Sequence, residues 1–411
     1  MPDKSTHYSF PFFNQHVKVP ERVKVKVYAS HASEYDDVRH CIGLIVTNLL
    51  ALGEVAYSRN SNFYTERGTR LFTWTSMLRA VDASVKAGYA VRSHEGYRAK
   101  GYATGLSSTI VAGPRLTEFG TLAKLELDAE SLPLISVDNR QVFDADGLPA
   151  VENRTVRVNS ESTALLPRLR GIYGEAVRLN REYWNQMEVG TVSLPAGTVC
   201  MGQVGLTRVF KGGGVGRWFQ RGGLSYQDLP KEERRRLLLD GEEVAELDYR
   251  AMHPHILYAW VNQQCPDDFY ERVVKLCDCS RDAVKELVLA AVNAPSYKSL
   301  SSAVNSTQRR GAESSLYAQL KEIGLSARDA VGAIVQAHPV LERYVFTAQA
   351  NRLMLAESDI MTAVLLRLMS QSIPALPIHD SVIFPKRHYE IVKKVMEEEY
   401  RRKMGFDIEV S

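Results

Sequence analysis

Two acidic residues stand where predicted strands end, and together they could hold divalent cations. Asp248 closes the segment VAELD, residues 244–248, which predicts a short buried strand, and the hydrophobic spacing after it becomes helical. Asp380 lies between two apolar runs, 375–378 and 382–384, which predict a hairpin with the acid at its tip. Alone, the first acid is typical of a helix cap and the second of a solvated turn. Together, the carboxylates could meet at one edge of a sheet.

Carboxylates that share a sheet edge are suited to phosphoryl transfer. Two Mg²⁺ ions bridged by carboxylates neutralise the charge that develops on a transferring phosphoryl group. We therefore expect Asp248 and Asp380 to be the catalytic and metal-binding residues of a two-metal site. Mg²⁺ is the expected cofactor, and Mn²⁺ is the expected substitute for it.

The segments around these acids resemble motifs of the A-family DNA polymerases. LDYRAMHPHIL is similar to motif A and IHDSVIF to motif C, and between them Arg281, Lys285 and the pair Asn293 and Ala294 have the spacing of motif B. GVGRWFQ, with the DLP turn after it, and LAESDIM, before motif C, also resemble segments of this family. The five segments keep the family's order over roughly residues 208–405, which is about half of the chain.

This resemblance implies a fold and an activity. The fold class is α+β: a right-hand polymerase palm, made of an antiparallel sheet with helices, carries helical fingers and is preceded by a small winged-helix-like domain. The activity is template-directed DNA synthesis, in which dNTPs are added to a 3′ hydroxyl by two-metal phosphoryl transfer without proofreading. The implied partners are a DNA primer-template and nucleoside triphosphates.

The resemblance also assigns roles to single side chains. Arg281 and Lys285 lie one turn apart on a predicted helix, so both cations would reach the triphosphate. A glycine-rich loop before motif A supplies further cations for template or primer phosphates. The nucleotide-binding residues are Tyr249, His253, Arg281, Lys285, Leu289 and Asn293, and the nucleic-acid contacts in this half are Lys211, Arg217 and His379.

Three departures from the family's pattern leave the sugar choice open. Asn293 and Ala294 replace Tyr-Gly, although Tyr297 could supply the missing aromatic platform. His253 replaces the glutamate that excludes ribose in the DNA enzymes, and its bulk can still block a 2′ hydroxyl. Ser381 after Asp380 resembles the His-Asp-Ser of single-subunit phage RNA polymerases. We expect DNA synthesis.

Other functions remain compatible with the sequence. An RNA polymerase or primase could use the same palm, and a nuclease could use the same carboxylates. A winged-helix DNA-binding or replication-initiation protein with an inactive palm is a further alternative. The retention of Asp248, Asp380, Arg281 and Lys285 argues against an inactive palm, because a site that has lost its function has no reason to keep like charges together.

A basic region near the start of the chain predicts DNA binding. Residues 59–115 contain nine Lys or Arg against three Asp or Glu. A helix over 73–87, and two strands joined by the loop HEGYRAKGYATGL, have the layout of a winged helix-turn-helix with a wing at about 94–106. A solvated basic face on a scaffold domain is the alternative. The expected phosphate contacts are Arg70, Arg79, Arg92, Arg98 and Lys100.

The chain is expected to divide into four parts. They are an extended N-terminal arm (1–30), a winged-helix-like DNA-binding domain (31–125), a connector with thumb-like helices (126–205), and a palm and fingers domain (206–411) with fingers at about 265–345. The Asp-Ala-Glu at 128–130 matches a pattern that opens many exonucleases, but too little chain follows it for such a domain, so we interpret it as structural.

Composition indicates an ordinary soluble globular protein. The 411 residues are 45% hydrophobic and 24% charged, and the net charge of +3 neither requires nor excludes nucleic acid. The five scattered cysteines favour a reduced cytoplasm and, without a second Cys or His pair, do not predict a zinc site. No run is long enough to span a bilayer. By analogy alone, a short polymerase of this kind suggests replication of a mobile genetic element; the oligomeric state stays open.

Overall fold

The computed structural model describes residues 17–57, 59, 73–94, 108–122, 128, 135–138, 142–143, 149–150, 155–157, 167–187, 189–194, 197–202, 204–211, 214–220, 225–308 and 316–411. Helices and mostly antiparallel strands are mixed in these parts of the chain, which agrees with the α+β class. Their buried apolar side chains form two separate clusters, one within residues 17–119 and the other within 172–410. None of the described helices is long and apolar enough to cross a membrane.

Among the described residues, three α-helices and a three-stranded antiparallel sheet enclose the first cluster. The strands are ordered β1-β3-β2, and Thr73 begins the third helix by accepting a hydrogen bond from the Ser76 amide at 3.1 Å. The predicted helix and both predicted strands of this region are confirmed. The elements are α1 (Glu21–Ser30), α2 (Asp36–Leu52), β1 (Glu54–Tyr57), α3 (Trp74–Lys86), β2 (Ala90–His94) and β3 (Ser108–Ala112).

The first helix corrects the prediction of an extended arm. The segment VKVKV alternates apolar and basic residues, which is the pattern of a strand. In the structure Val23 and Val27, four residues apart, are both fully buried, whereas Val25 between them is 59% exposed. Burial at a spacing of four residues is the signature of a helix face, here packed against α2. Tertiary packing therefore overrides the local alternation.

Among the described residues, the strands from residue 135 onward form three sheets. A six-stranded antiparallel sheet has the order β14-β15-β13-β12-β8-β9, a four-stranded sheet has the order β11-β10-β4-β7 with β4 and β10 parallel, and β5 pairs with β6. The strands are β4 (Ile135–Asp138), β5 (Val142–Phe143), β6 (Pro149–Ala150), β7 (Thr155–Arg157), β8 (Val189–Leu194), β9 (Gly197–Gly202), β10 (Leu206–Lys211), β11 (Gly214–Gln220), β12 (Leu238–Leu239), β13 (Glu242–Asp248), β14 (Leu376–Ile378) and β15 (Ser381–Pro385).

Helices cover these sheets and fill the region between β13 and β14. The region predicted to be helical fingers is helical in its described residues, and a π-helical turn at Arg178–Tyr183 extends the first helix of this half. The helices are α4 (Pro167–Val177), α5 (Lys231–Arg234), α6 (Met252–Ala259), α7 (Phe269–Cys277), α8 (Arg281–Asn293), α9 (Tyr297–Gln308), α10 (Leu316–Glu322), α11 (Ala327–Ala337), α12 (Ala350–Ser370) and α13 (Tyr389–Met404).

Polar contacts attach the β10–β11 hairpin to helix α12. The Arg208 side chain is buried; its Nε donates to the Gly216 carbonyl at 2.8 Å and its guanidinium forms an ion pair with Asp359. Trp218 Nε1 donates to Thr362 Oγ1 at 3.0 Å. Gly216 itself has a φ of 60°, and a Cβ there would lie 2.9 Å from Leu355 Cδ1. The hairpin and the helix consequently fix each other's position.

We expect Gly216→Ala to lower the free energy of unfolding by about 1–3 kcal/mol. Alanine would have to adopt a left-handed backbone conformation, and its Cβ would clash with Leu355. Gly174→Ala is the matched control. An added Cβ at Gly174 meets nothing within 4 Å, and alanine is favoured over glycine in a helix by about 0.5–1 kcal/mol. Urea unfolding of the three proteins measures the difference, and a Gly216→Ala variant as stable as the wild type would contradict the close packing.

Candidate active site

The pairing of β13 with β15 brings Asp248 and Asp380 to one edge of the six-stranded sheet. Asp248 is opposite Ser381, and the Tyr249 amide donates to the Asp380 carbonyl at 3.4 Å. His379 takes a φ of 55° at the tip of the β14–β15 hairpin, which turns the chain sharply there. On the other side, Asp248 exchanges two backbone hydrogen bonds of 3.0 Å with Ser411. The backbones of Asp248 and Asp380 are therefore held in place by hydrogen bonds.

Each of these two carboxyls has a raised pKa. Asp248 is in contact with solvent. Desolvation by the surrounding protein nevertheless raises its pKa, and together with the charge of Asp380 it brings the pKa to about 7. Burial is also the main cause that raises the pKa of Asp380, and the charge of Glu357 adds to it. Nearby cations, Lys285 and Lys231, oppose the shift at Asp248. The site is thus short of positive charge.

This shortage fits a divalent cation. Within the described residues, no group of three or more His, Cys, Asp and Glu side chains is arranged to hold a metal ion. Asp248 and Asp380 would therefore be the only carboxylate ligands there, with the remaining positions filled by water and substrate phosphates. Mg²⁺ in nucleotide sites is commonly bound in this way, by one or two carboxylates plus phosphates. Bound there, a divalent ion would favour the charged form of both carboxylates and so oppose the effect of burial on their pKa values.

Helix α8 presents the predicted triphosphate-binding residues on one face. Arg281 and Lys285 are exposed, and Leu289 and Asn293 are half-buried at the same four-residue interval, while the opposite face is buried. Lys285 is close enough to Asp248 to lower its pKa, so this face is turned toward the carboxylates. The Oδ1 atom of Asn293 is buried and has no hydrogen-bond partner among the described residues. This oxygen is enclosed by protein, so a ligand could bind it only after the surrounding side chains move.

Arg281 is held at the start of this face by α7. Its Nε donates to Glu271 Oε1 at 3.1 Å, and its guanidinium lies 5.0 Å from the centre of the Tyr270 ring. Asp380 adds to the raised pKa of Tyr270, of which burial is the main cause, so this ring lies within electrostatic range of the carboxylate pair. Arg281 is therefore near the site with its guanidinium already oriented.

A buried glutamate that the sequence patterns did not predict joins two predicted site residues. Glu357, on helix α12, accepts hydrogen bonds from Arg217 at 2.6 and 2.7 Å, and its Oε2 lies 2.9 Å from His253 Nε2. Burial alone would raise its pKa, but these bonds outweigh burial and lower it, so Glu357 is an anion. Lys231 was not predicted either. The only sequence signal for Lys231 is its place after the DLP turn, and Glu357 has none beyond lying in the LAESDIM segment.

The other predicted contact residues within 206–411 differ in their surroundings. Burial lowers the pKa of His379, whose Nδ1 lacks a partner among the described residues and whose ring meets Phe219 edge-on at 5.9 Å. Tyr249, predicted to bind nucleotide, instead has its ring in the core, because it follows Asp248 on the opposite face of the strand and its hydroxyl donates to the Met396 carbonyl at 2.7 Å. The Lys211 side chain is outside the described residues.

Two predicted phosphate contacts of the basic region are described. Arg79, on α3, is exposed and its guanidinium lies 5.5 Å from the centre of the Tyr35 ring. Arg92, on β2, is exposed and forms an ion pair with Asp82 of α3. The other predicted contacts, Arg70, Arg98 and Lys100, and most of the wing predicted at about 94–106, lie outside the described residues.

Comparison with known proteins gives little further information. No protein-family profile matches the chain, and no curated protein matches it. Among solved structures it is similar to the POL domain of Pol1 from M. smegmatis, solved in complex with DNA primer-template and dNTP, with 13% sequence identity and a TM-score of 0.33. The similarity covers 66% of this chain and 58% of that chain. A likeness this distant carries no argument about function, which has to rest on the site.

Without divalent ions, we expect Asp248→Asn to raise the melting temperature more at about pH 8 than at about pH 5. Folding raises the pKa of Asp248 from 3.8 to about 7, so ionising it costs stability, and the cost grows as the pH rises through that interval. Asparagine removes the charge and hence the cost. Thermal unfolding in EDTA measures the effect. Asp407→Asn, whose side chain is 69% exposed, is the control.

A stabilisation by Asp248→Asn that is equal at the two pH values would contradict the raised pKa. Added Mg²⁺ provides a second check on the same variant. Because a ligand that binds only the folded protein stabilises it, Mg²⁺ should raise the melting temperature of the wild type more than that of Asp248→Asn.

Proposed function

We propose that the chain is a template-directed nucleic acid polymerase that adds dNTPs to the 3′ hydroxyl of a DNA primer. The observation that carries this proposal is the pair of Asp248 and Asp380, which lie on neighbouring strand ends with raised pKa values and with Lys285 within electrostatic range. Phosphoryl transfer requires little covalent chemistry from the protein, and positioning with charge neutralisation supplies most of the catalysis. The carboxylates and cations of this site are suited to both positioning and charge neutralisation.

Each charged group has a distinct task in this proposal. Asp248 and Asp380 hold divalent ions, which supply charge neutralisation at the attacking hydroxyl and the triphosphate. Lys285 and Arg281 bind the triphosphate, Lys285 as a point charge and Arg281 as a fork that Glu271 already orients. Asn293, one turn beyond Leu289, continues this face of α8 toward the sugar or base. A nuclease that uses the same carboxylates would not need the two cations on α8.

A palm with fingers is the architecture that we propose for residues 206–411. The antiparallel strands β13, β14 and β15 supply the palm surface, and helices α7 to α11 supply the fingers. Residues 31–125 are proposed as a winged-helix-like DNA-binding domain, since helix α2, strand β1, helix α3 and the hairpin of β2 and β3 follow one another and the three strands form one antiparallel sheet. Its helix α3 and its wing would meet DNA phosphates.

Primer extension tests the activity directly. Purified protein, a labelled primer-template, Mg²⁺ and either dNTPs or rNTPs should give extension that Asp248→Asn or Asp380→Asn lowers by about a thousandfold or more, since each substitution removes several kcal/mol of charge stabilisation. Asp407→Asn, an exposed acid paired with Arg401, should retain activity. Thermal unfolding of each variant distinguishes impaired chemistry from impaired folding.

The nucleotide set decides between the related functions. Extension with dNTPs supports DNA synthesis, and extension with rNTPs alone, or without a primer, would assign an RNA polymerase or primase instead. Shortening of the labelled strand without extension would assign a nuclease. No reaction, with intact DNA binding by residues 31–125, would favour the DNA-binding protein with an inactive palm.

Removal of basic charge from the first domain tests its role in DNA binding. We expect the triple variant Arg92→Ala, Arg98→Ala and Lys100→Ala to bind duplex DNA more weakly, and the slope of log affinity against log salt concentration to fall by roughly 0.9 for each phosphate that the variant no longer neutralises. Incorporation on saturating template should be unchanged. Lys394→Ala, whose side chain is 73% exposed on helix α13, is the control cation. An unchanged slope in the triple variant would make this domain a scaffold.

A further inference from the structure

One buried carboxylate beside the candidate active site binds two side chains that approach from different elements. Glu357 is 1% exposed at its side chain, while Arg217 and His253 are 17% and 15% exposed. Arg217 comes from strand β11 and His253 from the first turn of helix α6, and helix α12 packs against both elements. Glu357 thus connects strand β11 with helix α6, the helix that follows Asp248.

The hydrogen bonds leave each partner little freedom. Arg217 uses two nitrogen atoms, Nε and Nη2, on the two oxygens of Glu357, and this fork geometry fixes the plane of the carboxylate. A carboxylate only accepts hydrogen bonds, so His253 must donate from Nε2 to Oε2, and this sets its tautomer and ring orientation. Arg217 therefore orients Glu357, and Glu357 orients His253.

This unit lies next to the reacting groups. The charges of Glu357, His253 and Arg217 all act on the pKa of Asp380: Glu357 raises it, and the other two lower it. His253 also begins the helix that follows Asp248. Its ring is therefore held within electrostatic range of Asp380, and an incoming sugar would lie beside it if the proposed polymerase function is correct.

We propose that Glu357 is the positioning residue for sugar selection, holding His253 as a fixed barrier to the 2′ hydroxyl of a ribonucleotide. The inference rests on the proposed polymerase function. An imidazole free to rotate could move aside for the added hydroxyl, whereas one bonded to a buried, Arg-bound carboxylate cannot move without breaking a charge-assisted hydrogen bond. Selectivity then depends on Glu357, although this residue touches no substrate.

Glu399 offers a matched control for a buried glutamate that only stabilises the fold. It is also buried and binds arginines, with Oε1 3.3 Å from Arg367 Nη1 and Oε2 2.6 Å from Arg402 Nη2. It is not among the groups that shift the pKa of Asp380 or Asp248. A partly unfolded protein would use both nucleotide types less well, so the ratio of the two efficiencies separates positioning from stability.

The experiment measures kcat/KM for one dNTP and its matching rNTP on a primer-template with the full chain. The proteins are the wild type, Glu357→Gln, His253→Ala, the double variant and Glu399→Gln. We expect Glu357→Gln to lower the ratio of dNTP to rNTP efficiency about tenfold, the effect expected for removing one charge-assisted hydrogen bond. His253→Ala should lower it at least as much, and the double variant no further, because both changes remove the same barrier. Glu399→Gln should leave the ratio unchanged.

Each other outcome has a defined meaning. If Glu357→Gln or His253→Ala keeps the wild-type ratio, or if the two effects simply add, the inference fails while the polymerase function stands. A wild type that extends no primer overturns the proposed function and this inference with it. Should Glu357→Gln unfold below the assay temperature, Glu357→Asp keeps the charge but shortens the side chain by one methylene. That variant should also lower the ratio, and an unchanged ratio would refute the inference.

Discussion

The antiparallel pairing of β13 with β15 is the constraint on which the candidate site depends. Its register brings Asp248 and Asp380 to one edge of the sheet, although burial disfavours the charged form of both and the charge of Asp380 adds to this cost at Asp248. The backbone pairing of Asp248 with Ser411 prevents the end of β13 from moving away. A strand pair buried in the core can supply this restraint, because shifting its register by one residue would turn its apolar side chains toward solvent.

A second group of buried charges sets the position of helix α12. Unpaired charges in a protein interior cost several kcal/mol, so Arg208 and Glu357 are tolerated only because each has matched partners. Since Arg208 lies on the β10–β11 hairpin and Glu357 binds Arg217 of the same hairpin, neither the hairpin nor the helix can shift independently. Gly216 allows the hairpin and helix α12 to pack closely, because a Cβ at this position would clash with Leu355. Stability and site geometry therefore depend on the same contacts.

Local patterns in the sequence predicted the elements of the site but not all of its contacts. The strand that ends at Asp248, the hairpin around Asp380 and the helices of the fingers region are confirmed, because their apolar periodicity agrees with their burial. The prediction for the segment that forms helix α1 was wrong, since its Val-Lys alternation is typical of a strand and only packing against α2 makes it helical. The β8–β9 hairpin was not predicted.

Glu357 shows why the rest could not be predicted from sequence. Its partners are 140 residues away, at Arg217, and 104 residues away, at His253. In the sequence it is one acid within a helical segment, and a solvated helix face is the ordinary interpretation of such a residue. Only the packing of α12 against both β11 and α6 buries it and gives it two donors. Roles that arise from contacts this distant have no local pattern.

Long separation along the chain also affects the order in which the candidate site can form. Ser381 meets Glu246 across 135 residues of chain, and all the helices between β13 and β14 lie within that loop. Closing a long loop costs entropy before its contacts repay it, so pairings of this kind form late in folding. During synthesis, β13 leaves the ribosome before β15, and the helices between them are made before the edge that carries Asp248 and Asp380 can close. The two acids therefore need not be brought together until the helices between their strands have been made.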